Sequence, residues 1–258
     1  MKVVILAGGL GSRISEESVV RPKPMVEIGG RPILWHIMKY YSEFGFNEFV
    51  IAAGYKQHCI KEYFADYFLH SSDITFDYTS GQKEVTVHST SCEPWRVTVA
   101  DTGFSTNTAG RVRRIHKYVG DEPFMLTYGD GVSNIDINAV IAHHKKEGAT
   151  VTITGVNVAQ RFGVLEMDGG KVVEFREKSD SDESAVNGGY MVIEPEIFDE
   201  PLGDGEDFST ITLASLAERG KLAAYRHTGF WHPMDTIHDR RKLEAIWESD
   251  DCPWRIWE

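Results

Sequence analysis

Cysteine is scarce in this sequence, and its pattern argues against two kinds of architecture. The three cysteines, Cys59, Cys92 and Cys252, are odd in number and never form a Cys-x-x-Cys spacing. Neither a complete disulfide framework nor a cysteine-rich zinc site is therefore indicated. We expect a protein of the reducing cytoplasm.

Long apolar runs are also missing. No stretch approaches the roughly 20 apolar residues that a membrane span needs. The apolar start of the chain stops at Gly8, which makes it too short for the core of a signal peptide. The sequence predicts a soluble protein with no membrane partner and a buried strand at residues 3–6.

Positive charge is in the minority. The 27 Lys and Arg residues face 39 Asp and Glu residues, which gives a formal net charge of -12 at pH 7. The average field of such a protein repels nucleic acids and anionic membranes, so we expect no nucleic-acid partner. Any anionic ligand must be held by local cations, by backbone amides or by a metal ion.

Apolar strands and amphipathic helices alternate along the first 155 residues. The patterns predict strands at 3–6, 49–53, 124–127 and 151–154, and helices at 32–44, 58–69, 110–119 and 137–144. Two further alternating segments, 85–87 and 97–99, fit strands. This order predicts an α/β fold with a Rossmann-like, mostly parallel mixed sheet flanked by helices.

The pattern changes after residue 155. Segments 163–167 and 172–175 surround a glycine-rich turn and predict a β-hairpin. A strand at 191–193 and a helix at 210–217 follow. We interpret residues 1–258 as a single domain with a core at 1–155 and a smaller β-rich extension at 156–258.

The first strand leads into the glycine-rich segment Gly8-Gly9-Leu10-Gly11. With so little side-chain bulk, several backbone N–H groups can turn toward an anion while the chain adopts positive φ values. A tight turn without a ligand is the alternative for a glycine cluster considered alone.

Two familiar glycine motifs fit this loop poorly. When Gly9 and Gly11 are aligned with the dinucleotide fingerprint, Ile14 stands where the third glycine belongs, which argues against an NAD(P)-dependent dehydrogenase. The terminal Gly-Lys-Ser/Thr of a P-loop is absent. Instead, two prolines frame Lys23 and restrict the chain around it, so that the lysine can be aimed at a ligand.

Several segments together resemble the sugar-1-phosphate nucleotidyltransferases. They occur in that family's order and are LAGGLGSR, RPKPMVEIGGRPILWHIM, TYGDG, FREK, NGGY and GFWHPMDT. The resemblance runs from Met1 to Glu258 and is greatest to the bacterial glucose-1-phosphate cytidylyltransferases. It implies transfer of a cytidylyl group from CTP to α-D-glucose 1-phosphate, with Mg2+ as cofactor, in a route to deoxysugars of lipopolysaccharide O antigen.

The resemblance also assigns residues. Nucleotide contacts in the core would be Leu6, Ala7, Gly8, Gly9, Gly11, Ser12, Arg13, Lys23, Thr108, Arg111 and Gly129. Sugar-phosphate contacts in the extension would be Glu177, Lys178, Asn187, Gly188 and Trp231. The Mg2+ ligands would be Asp130 and Asp235, and the catalytic residues Arg13, Lys23, Asp130 and Lys178. The extension would also carry contacts of a homo-oligomer, with a hexamer as one form.

Plainer interpretations stand beside these assignments. Asp130 could be a turn residue in Tyr-Gly-Asp-Gly, and Asp235 could be the N-cap of a helix that begins at Thr236. Arg111 and Lys178 could be solvated surface charges. Ala109 stands where relatives favour glycine and Ser179 where they have proline, which leaves the choice of base and the aim of Lys178 open.

The implied chemistry needs few proton-transfer groups. A phosphate oxygen of the sugar 1-phosphate attacks the α-phosphorus, and this nucleophile is already ionised at neutral pH, so positioning and charge neutralisation carry the reaction. Mg2+ takes oxygen ligands such as paired carboxylates and phosphates. The alternatives are the same reaction with UTP or dTTP or another sugar 1-phosphate, and a catalytically silent nucleotide-sugar sensor.

Overall fold

The computed structural model describes residues 1–11, 14, 20–157 and 185–257, together with the backbone of 164–168 and 171–176. Its strands, numbered β1 to β15 in chain order, are Val3–Ala7, Glu27–Ile28, Arg31–Pro32, Glu48–Ala53, Ser72–Asp77, Glu84–Thr90, Arg96–Asp101, Phe124–Tyr128, Gly131–Ser133, Val151–Asn157, Val164–Asp168, Lys171–Arg176, Ala185–Ile193, Leu222–His227 and Trp231–Pro233. Its helices, α1 to α6, are Ile33–Glu43, Gln57–His70, Thr108–Val119, Ile137–Glu147, Ala214–Glu218 and Ile237–Glu248.

A seven-stranded sheet forms the centre of the molecule, in the order β14-β10-β13-β8-β1-β4-β7. Strands β8, β1, β4 and β7 run parallel, and β10 runs parallel to β14. Strand β13 is antiparallel to both of its neighbours, β8 and β10. The predicted fold class, a mostly parallel mixed sheet flanked by helices, is confirmed.

Strand β1 is buried on both faces because helices cover both sides of the sheet. Its alternate residues Val3, Ile5 and Ala7 join one hydrophobic core, which includes residues of α1. Val4 and Leu6 point the other way, into a second core with residues of α3. A continuous apolar run is what a two-sided environment of this kind requires.

The structure extends or refines most of the predicted elements by a few residues. The hairpin of the extension is confirmed as β11 and β12, which pair antiparallel, although its turn residues 169–170 lie outside the described part. The predicted helix at 210–217 is instead a π-helical turn, Phe208–Leu213, followed by α5. Strands β13 and β14 of the extension belong to the same sheet as β1.

A two-stranded hairpin of β5 and β6 lies outside the main sheet. Phe76, Tyr78, Val85 and Val87 are all exposed on it or on its turn. Among the described residues, no helix combines the length and the apolar composition that a membrane span requires.

Candidate active site

A cavity of about 310 Å³ opens at the edge of the sheet where β1 and β8 end. Because the two strands are parallel neighbours, the segments that follow them meet there. The N–H of Gly129 donates to the carbonyl of Leu6 at 3.0 Å. A Cβ at Gly129 would lie 2.9 Å from that oxygen, so this approach of two backbones requires glycine.

Gly8 occupies one wall of the cavity, directly against Arg111. A Cβ at Gly8 would overlap the guanidinium of Arg111, so contact with this side chain requires glycine here. Gly11 has a φ of +64°, in the region that favours glycine. Ile14, at the position of the missing third glycine, is fully buried in the core.

Arg111 is 4% exposed, so it is not a solvated surface charge. Its guanidinium donates to the carbonyls of Gly8 and Gly103, both at 2.9 Å, and to the Thr102 hydroxyl at 2.7 Å. Burial lowers the pKa of Arg111 below its ordinary value. The side chain therefore fixes the carbonyl of Gly8 at the cavity wall, and its predicted contact with a nucleotide stays a prediction.

Lys23 lies between Pro22 and Pro24 in a short turn. It begins a single 3-10 turn, Lys23–Met25, in which the N–H of Met25 donates to the carbonyl of Pro22 at 2.8 Å. The lysine is 8% exposed, and its Nζ donates to Asp130 Oδ2 at 2.6 Å and to Asp235 Oδ1 at 2.7 Å. The two aspartates lie 107 and 212 positions from Lys23 in the sequence, and both contact its ammonium group.

The two aspartates are carried by adjoining strands. Asp130 follows β8 and precedes β9, and β9 pairs antiparallel with β15, which ends two residues before Asp235. The N–H of Met234 donates to the carbonyl of Asp130 at 2.7 Å and fixes the two segments together. The interpretation of Asp235 as a helix cap is wrong, because Thr236 caps α6 in a capping box with Asp239.

The pair of carboxylates fits a divalent cation. Oxygen atoms from both aspartates converge on one positive charge, and hard oxygen donors of this kind are the ligands of Mg2+. No group of three or more His, Cys, Asp or Glu side chains suited to a metal occurs in the described residues. A metal ion on this pair would therefore need further ligands from phosphate or water, as is common for Mg2+.

Three of the predicted sugar-side residues, Asn187, Gly188 and Trp231, lie close together. Trp231, on β15, donates from Nε1 to the carbonyl of Gly188 at 2.8 Å. The Oδ1 atom of Asn187 accepts from the N–H of Gly189 at 2.9 Å. Its Nδ2 is buried without a hydrogen-bond partner in the described residues, and such an orphaned donor is suited to a ligand oxygen.

Most of the predicted nucleotide contacts line the cavity. They are Leu6, Ala7, Gly8, Gly9, Gly11, Lys23, Thr108, Arg111 and Gly129, together with Asp130. Four predicted residues, Ser12, Arg13, Glu177 and Lys178, lie outside the described residues. Their assignments stay predictions.

Five lining residues were not predicted: Ile14, Pro24, Thr106, Asn107 and Tyr128. Asn107 could have been predicted from the sequence, because asparagine is a preferred N-cap residue. It is the N-cap of α3, and its side chain accepts from the N–H of Thr108 at 2.8 Å. This cap places the N-terminus of a helix at the cavity, where backbone N–H groups favour an anion. Thr108 also receives a hydrogen bond from the N–H of Phe208 at its hydroxyl, at 2.7 Å.

Comparison with known proteins finds relatives of this chain in sequence and in structure. Residues 2–247 match the nucleotidyl transferase family. The glucose-1-phosphate cytidylyltransferase of Salmonella typhi is 50% identical over the full length of both chains. A D-glycero-alpha-D-manno-heptose 1-phosphate guanylyltransferase of Campylobacter jejuni is 30% identical over 78% of this chain and 79% of that protein. The structure of HddC from Yersinia pseudotuberculosis aligns with a TM-score of 0.68 at 24% identity, covering 96% of this chain and 99% of that one.

The chain belongs to the nucleotidyl transferase family. The resemblance inferred from the sequence motifs is confirmed, and with it the assignment of an enzyme. Members of this family generally use a divalent metal ion, with a nucleotide and a sugar phosphate as substrates.

Proposed function

We propose that this chain transfers a cytidylyl group from CTP to α-D-glucose 1-phosphate, giving CDP-glucose and pyrophosphate. The observation that carries the proposal is the meeting of Lys23, Asp130 and Asp235 at the rim of the glycine-lined cavity. The choice of CTP and glucose rests on full-length identity of 50% to the Salmonella typhi enzyme that carries this name.

Different residues of the chain have different roles in the reaction. A phosphate oxygen of glucose 1-phosphate forms a bond to the α-phosphorus of CTP, and the bond from that phosphorus to the bridging oxygen of pyrophosphate breaks. Lys23 is buried at the site and positioned to neutralise phosphate charge as it redistributes. Gly9 leaves room for phosphate oxygens beside the backbone, and Arg111 holds the carbonyl of Gly8 in place.

Asp130 and Asp235 would hold Mg2+ in this proposal. The ion, when bound, supplies a positive charge that offsets the repulsion between two polyanionic substrates. On the sugar side, the free Nδ2 of Asn187 is suited to a hydroxyl or phosphate oxygen, and Trp231 forms an adjoining wall. Arg13 and Lys178 complete the proposed set of catalytic cations.

The direct test is pyrophosphate release by the purified protein with glucose 1-phosphate and each of CTP, UTP, dTTP, ATP and GTP. We expect turnover with CTP to exceed turnover with any other nucleotide. Preference for UTP or dTTP would overturn the cytidylyl assignment while keeping the chemistry. Tight binding of CTP without pyrophosphate release would favour the silent sensor instead.

Replacement of either paired aspartate tests the proposed metal role. In D130N and D235N we expect pyrophosphate release to fall roughly 100-fold or more, because removal of charge stabilisation at a reacting centre commonly costs this much. The matched control is D66N, which changes an exposed aspartate on α2. Activity equal to that of D66N in both site variants would remove the proposed metal ligands.

We also propose that the chain forms a homo-oligomer, with a hexamer as the expected form. The exposed apolar residues of the β5 and β6 hairpin support an interface, because clustered exposed apolar groups mark association surfaces. Size-exclusion chromatography with light-scattering detection gives the molar mass of the protein in solution. A mass equal to one chain at micromolar concentration would contradict the proposal.

A further inference from the structure

Strand β8 connects the two halves of the catalytic site. On one side it runs parallel to β1, and its last residue, Tyr128, pairs there with Leu6. On the other side it runs antiparallel to β13, and this pairing ends at Tyr190. The next residue of β13 is Gly189, and the predicted sugar contact Asn187 lies two positions further on. Tyr128 is therefore placed between the glycine-rich loop and the sugar side.

The ring of Tyr128 occupies the space that a side chain at position 189 would need. A Cβ on Gly189 would overlap this ring. Gly189 also has a φ of +81°, in the region that favours glycine. The chain of β13 therefore leaves the extended conformation at the point where it packs against the tyrosine ring.

Strand β13 bulges at this point. Ile153 of β10 pairs with Met191, but Gly155, two residues further along β10, pairs with Asn187. Three residues of β13, 188–190, thus lie opposite a single residue of β10. Bulges bend a strand and re-aim its side chains, and they are frequent beside active sites. The bulge therefore sets the direction of the Asn187 side chain.

Two backbone groups of the bulge are satisfied by side chains. The carbonyl of Tyr190 accepts from the Thr154 hydroxyl at 2.9 Å, and the N–H of Gly189 donates to Asn187 Oδ1 at 2.9 Å. The second bond fixes the orientation of the Asn187 amide. Its Nδ2, buried and without a partner in the described part of the chain, is then aimed by the bulge.

Tyr128 is itself held by a residue outside the cavity wall. Its hydroxyl forms a hydrogen bond of 2.7 Å with the hydroxyl of Ser209. Ser209 belongs to the π-helical turn Phe208–Leu213, and such turns are frequent at functional sites. Burial raises the pKa of Tyr128 above its ordinary value, so its hydroxyl stays protonated at neutral pH. The ring is thus anchored at its far end.

We propose that Tyr128 is a positioning residue for the sugar phosphate: its ring, anchored by Ser209, sets the bulge of β13 and through it the direction of the Asn187 amide. This inference rests on the proposed function, which makes Asn187 a contact of glucose 1-phosphate. A misdirected amide weakens binding of the acceptor, whereas the nucleotide half keeps its shape. The loss therefore falls on one substrate, which a general loss of stability would not do.

Steady-state kinetics of pyrophosphate release test the positioning role. S209A removes the anchoring bond and leaves the tyrosine ring in place. We expect the KM for glucose 1-phosphate to rise roughly two- to tenfold, as for the loss of one hydrogen bond, with little change in the KM for CTP. Y128F removes the same bond and should give the same rise. The matched controls, S215A at an exposed serine on α5 and Y118F on α3, should leave both KM values unchanged.

The double variant S209A/Y128F tests whether the two residues act as a pair. Because each single change removes the same bond, the double variant should show the KM of the single variants. A rise equal to the product of the two single effects would overturn the role of Ser209. Wild-type KM for glucose 1-phosphate in both single variants would overturn the proposal. So would an equal rise in the KM for CTP, which would mean that Tyr128 acts on the nucleotide.

Hydrogen exchange followed by mass spectrometry gives a readout that needs no turnover. In Y128L, which removes the ring, we expect backbone amides of 185–190 to exchange faster than in the wild type, while those of β7, at the far edge of the sheet, keep their protection. Unchanged exchange at 185–190 would overturn the role of the ring. If Y128L fails to fold, S209A and Y128F still decide the matter through their KM values.

The positioning role and the proposed function can fail separately. Wild-type protein that prefers another nucleotide or another sugar phosphate would overturn the cytidylyl assignment, and the KM comparison would then use the preferred pair of substrates. Faster exchange at 185–190 in Y128L would support the ring as the support of the bulge whichever substrates the enzyme uses.

Discussion

At the residue scale, Gly8 shows how a glycine can be fixed by a side chain from a distant element. In G8A the new methyl group would collide with the Arg111 guanidinium, and we expect a loss of roughly 1–3 kcal/mol of stability. The melting temperature should fall by roughly 2–4 °C per kcal/mol. G9A is the matched control, because a Cβ at Gly9 meets nothing within 4 Å. Equal melting temperatures for the two variants would show that Arg111 moves aside freely.

His36 gives the molecule a defined dependence on pH. Burial lowers its pKa to about 4, so between that value and about 6.5 the unfolded chain binds more protons than the folded one. Stability from this residue is therefore present above the upper value and is lost as the pH falls through the window, by up to roughly 1.4 kcal/mol per pH unit.

The H36Q variant tests this dependence, since its side chain can still donate to the carbonyl of Ile28 as His36 Nε2 does at 2.8 Å. Urea unfolding between about pH 4.5 and 7 should show a shallower slope for H36Q than for the wild type. H70Q, an exposed histidine variant, should keep the wild-type slope. A slope in H36Q equal to that of H70Q would mean that other groups dominate.

Some features of the site could be predicted from the sequence and others could not, for a physical reason. Lys23 and Asp130 carry local signals, because prolines frame the one and a strand end precedes the other. The anchoring of Gly8 by Arg111 spans 103 residues of sequence and has no local signal. Burial of a cation among carbonyls depends on tertiary packing, which spacing alone does not reveal.

At the element scale, Thr236, the N-cap of α6, follows directly after Asp235, so we expect the cap also to position that residue. The Thr236 hydroxyl accepts from the N–H of Asp239 at 3.2 Å. We expect T236A to lose roughly 1 kcal/mol of stability and also to lower kcat, because Asp235 is no longer held by an ordered helix start. D136A removes the N-cap of α4 and should cost similar stability with little change in kcat. Equal kcat values in the two variants would show that the cap of α6 does not position Asp235.

The sequence left unpredicted the two- and three-residue strands β2, β3, β9 and β15, the six-residue strands β5 and β14, and the late helix α6. Strands β9 and β15 have three residues each, too few for a period-2 pattern, yet their pairing brings Asp130 and Asp235 together. Long periodic segments such as α1 and α2 were predicted to within a residue or two at each end. Short elements offer too few repeats of a pattern to be recognised, whereas β5, β14 and α6 were long enough and were still missed.

At the scale of the whole molecule, substrate binding should stabilise the fold. A nucleotide held by segments from residues 6–11, 23 and 106–111 links parts of the chain that separate on unfolding. At 100 times its Kd, CTP with Mg2+ should add about 2.7 kcal/mol and raise the melting temperature by roughly 5–10 °C. EDTA should reduce this rise. An equal rise with CTP in D130N and in the presence of EDTA would contradict a metal-assisted site.

The order of strands in the sheet could not be read from the chain. Alternation predicted a mostly parallel mixed sheet, but nothing in the β13 sequence indicates that this strand inserts antiparallel between β8 and β10. The position of β13 depends on which strand edges of the sheet are still unpaired when β13 joins it. This is a long-range property that a local sequence pattern does not contain.

The antiparallel course of β13 has a consequence for how the enzyme family can diversify. Asn157, the last residue of β10, pairs with Ala185, the first residue of β13, so the 27-residue connection 158–184 leaves and re-enters the sheet at adjacent points on the catalytic edge. A segment attached in this way can be exchanged for one of another length without changing the register of the sheet. The predicted sugar contacts Glu177 and Lys178 lie in this connection, so we expect that grafting it from a relative with another sugar preference changes the choice of acceptor.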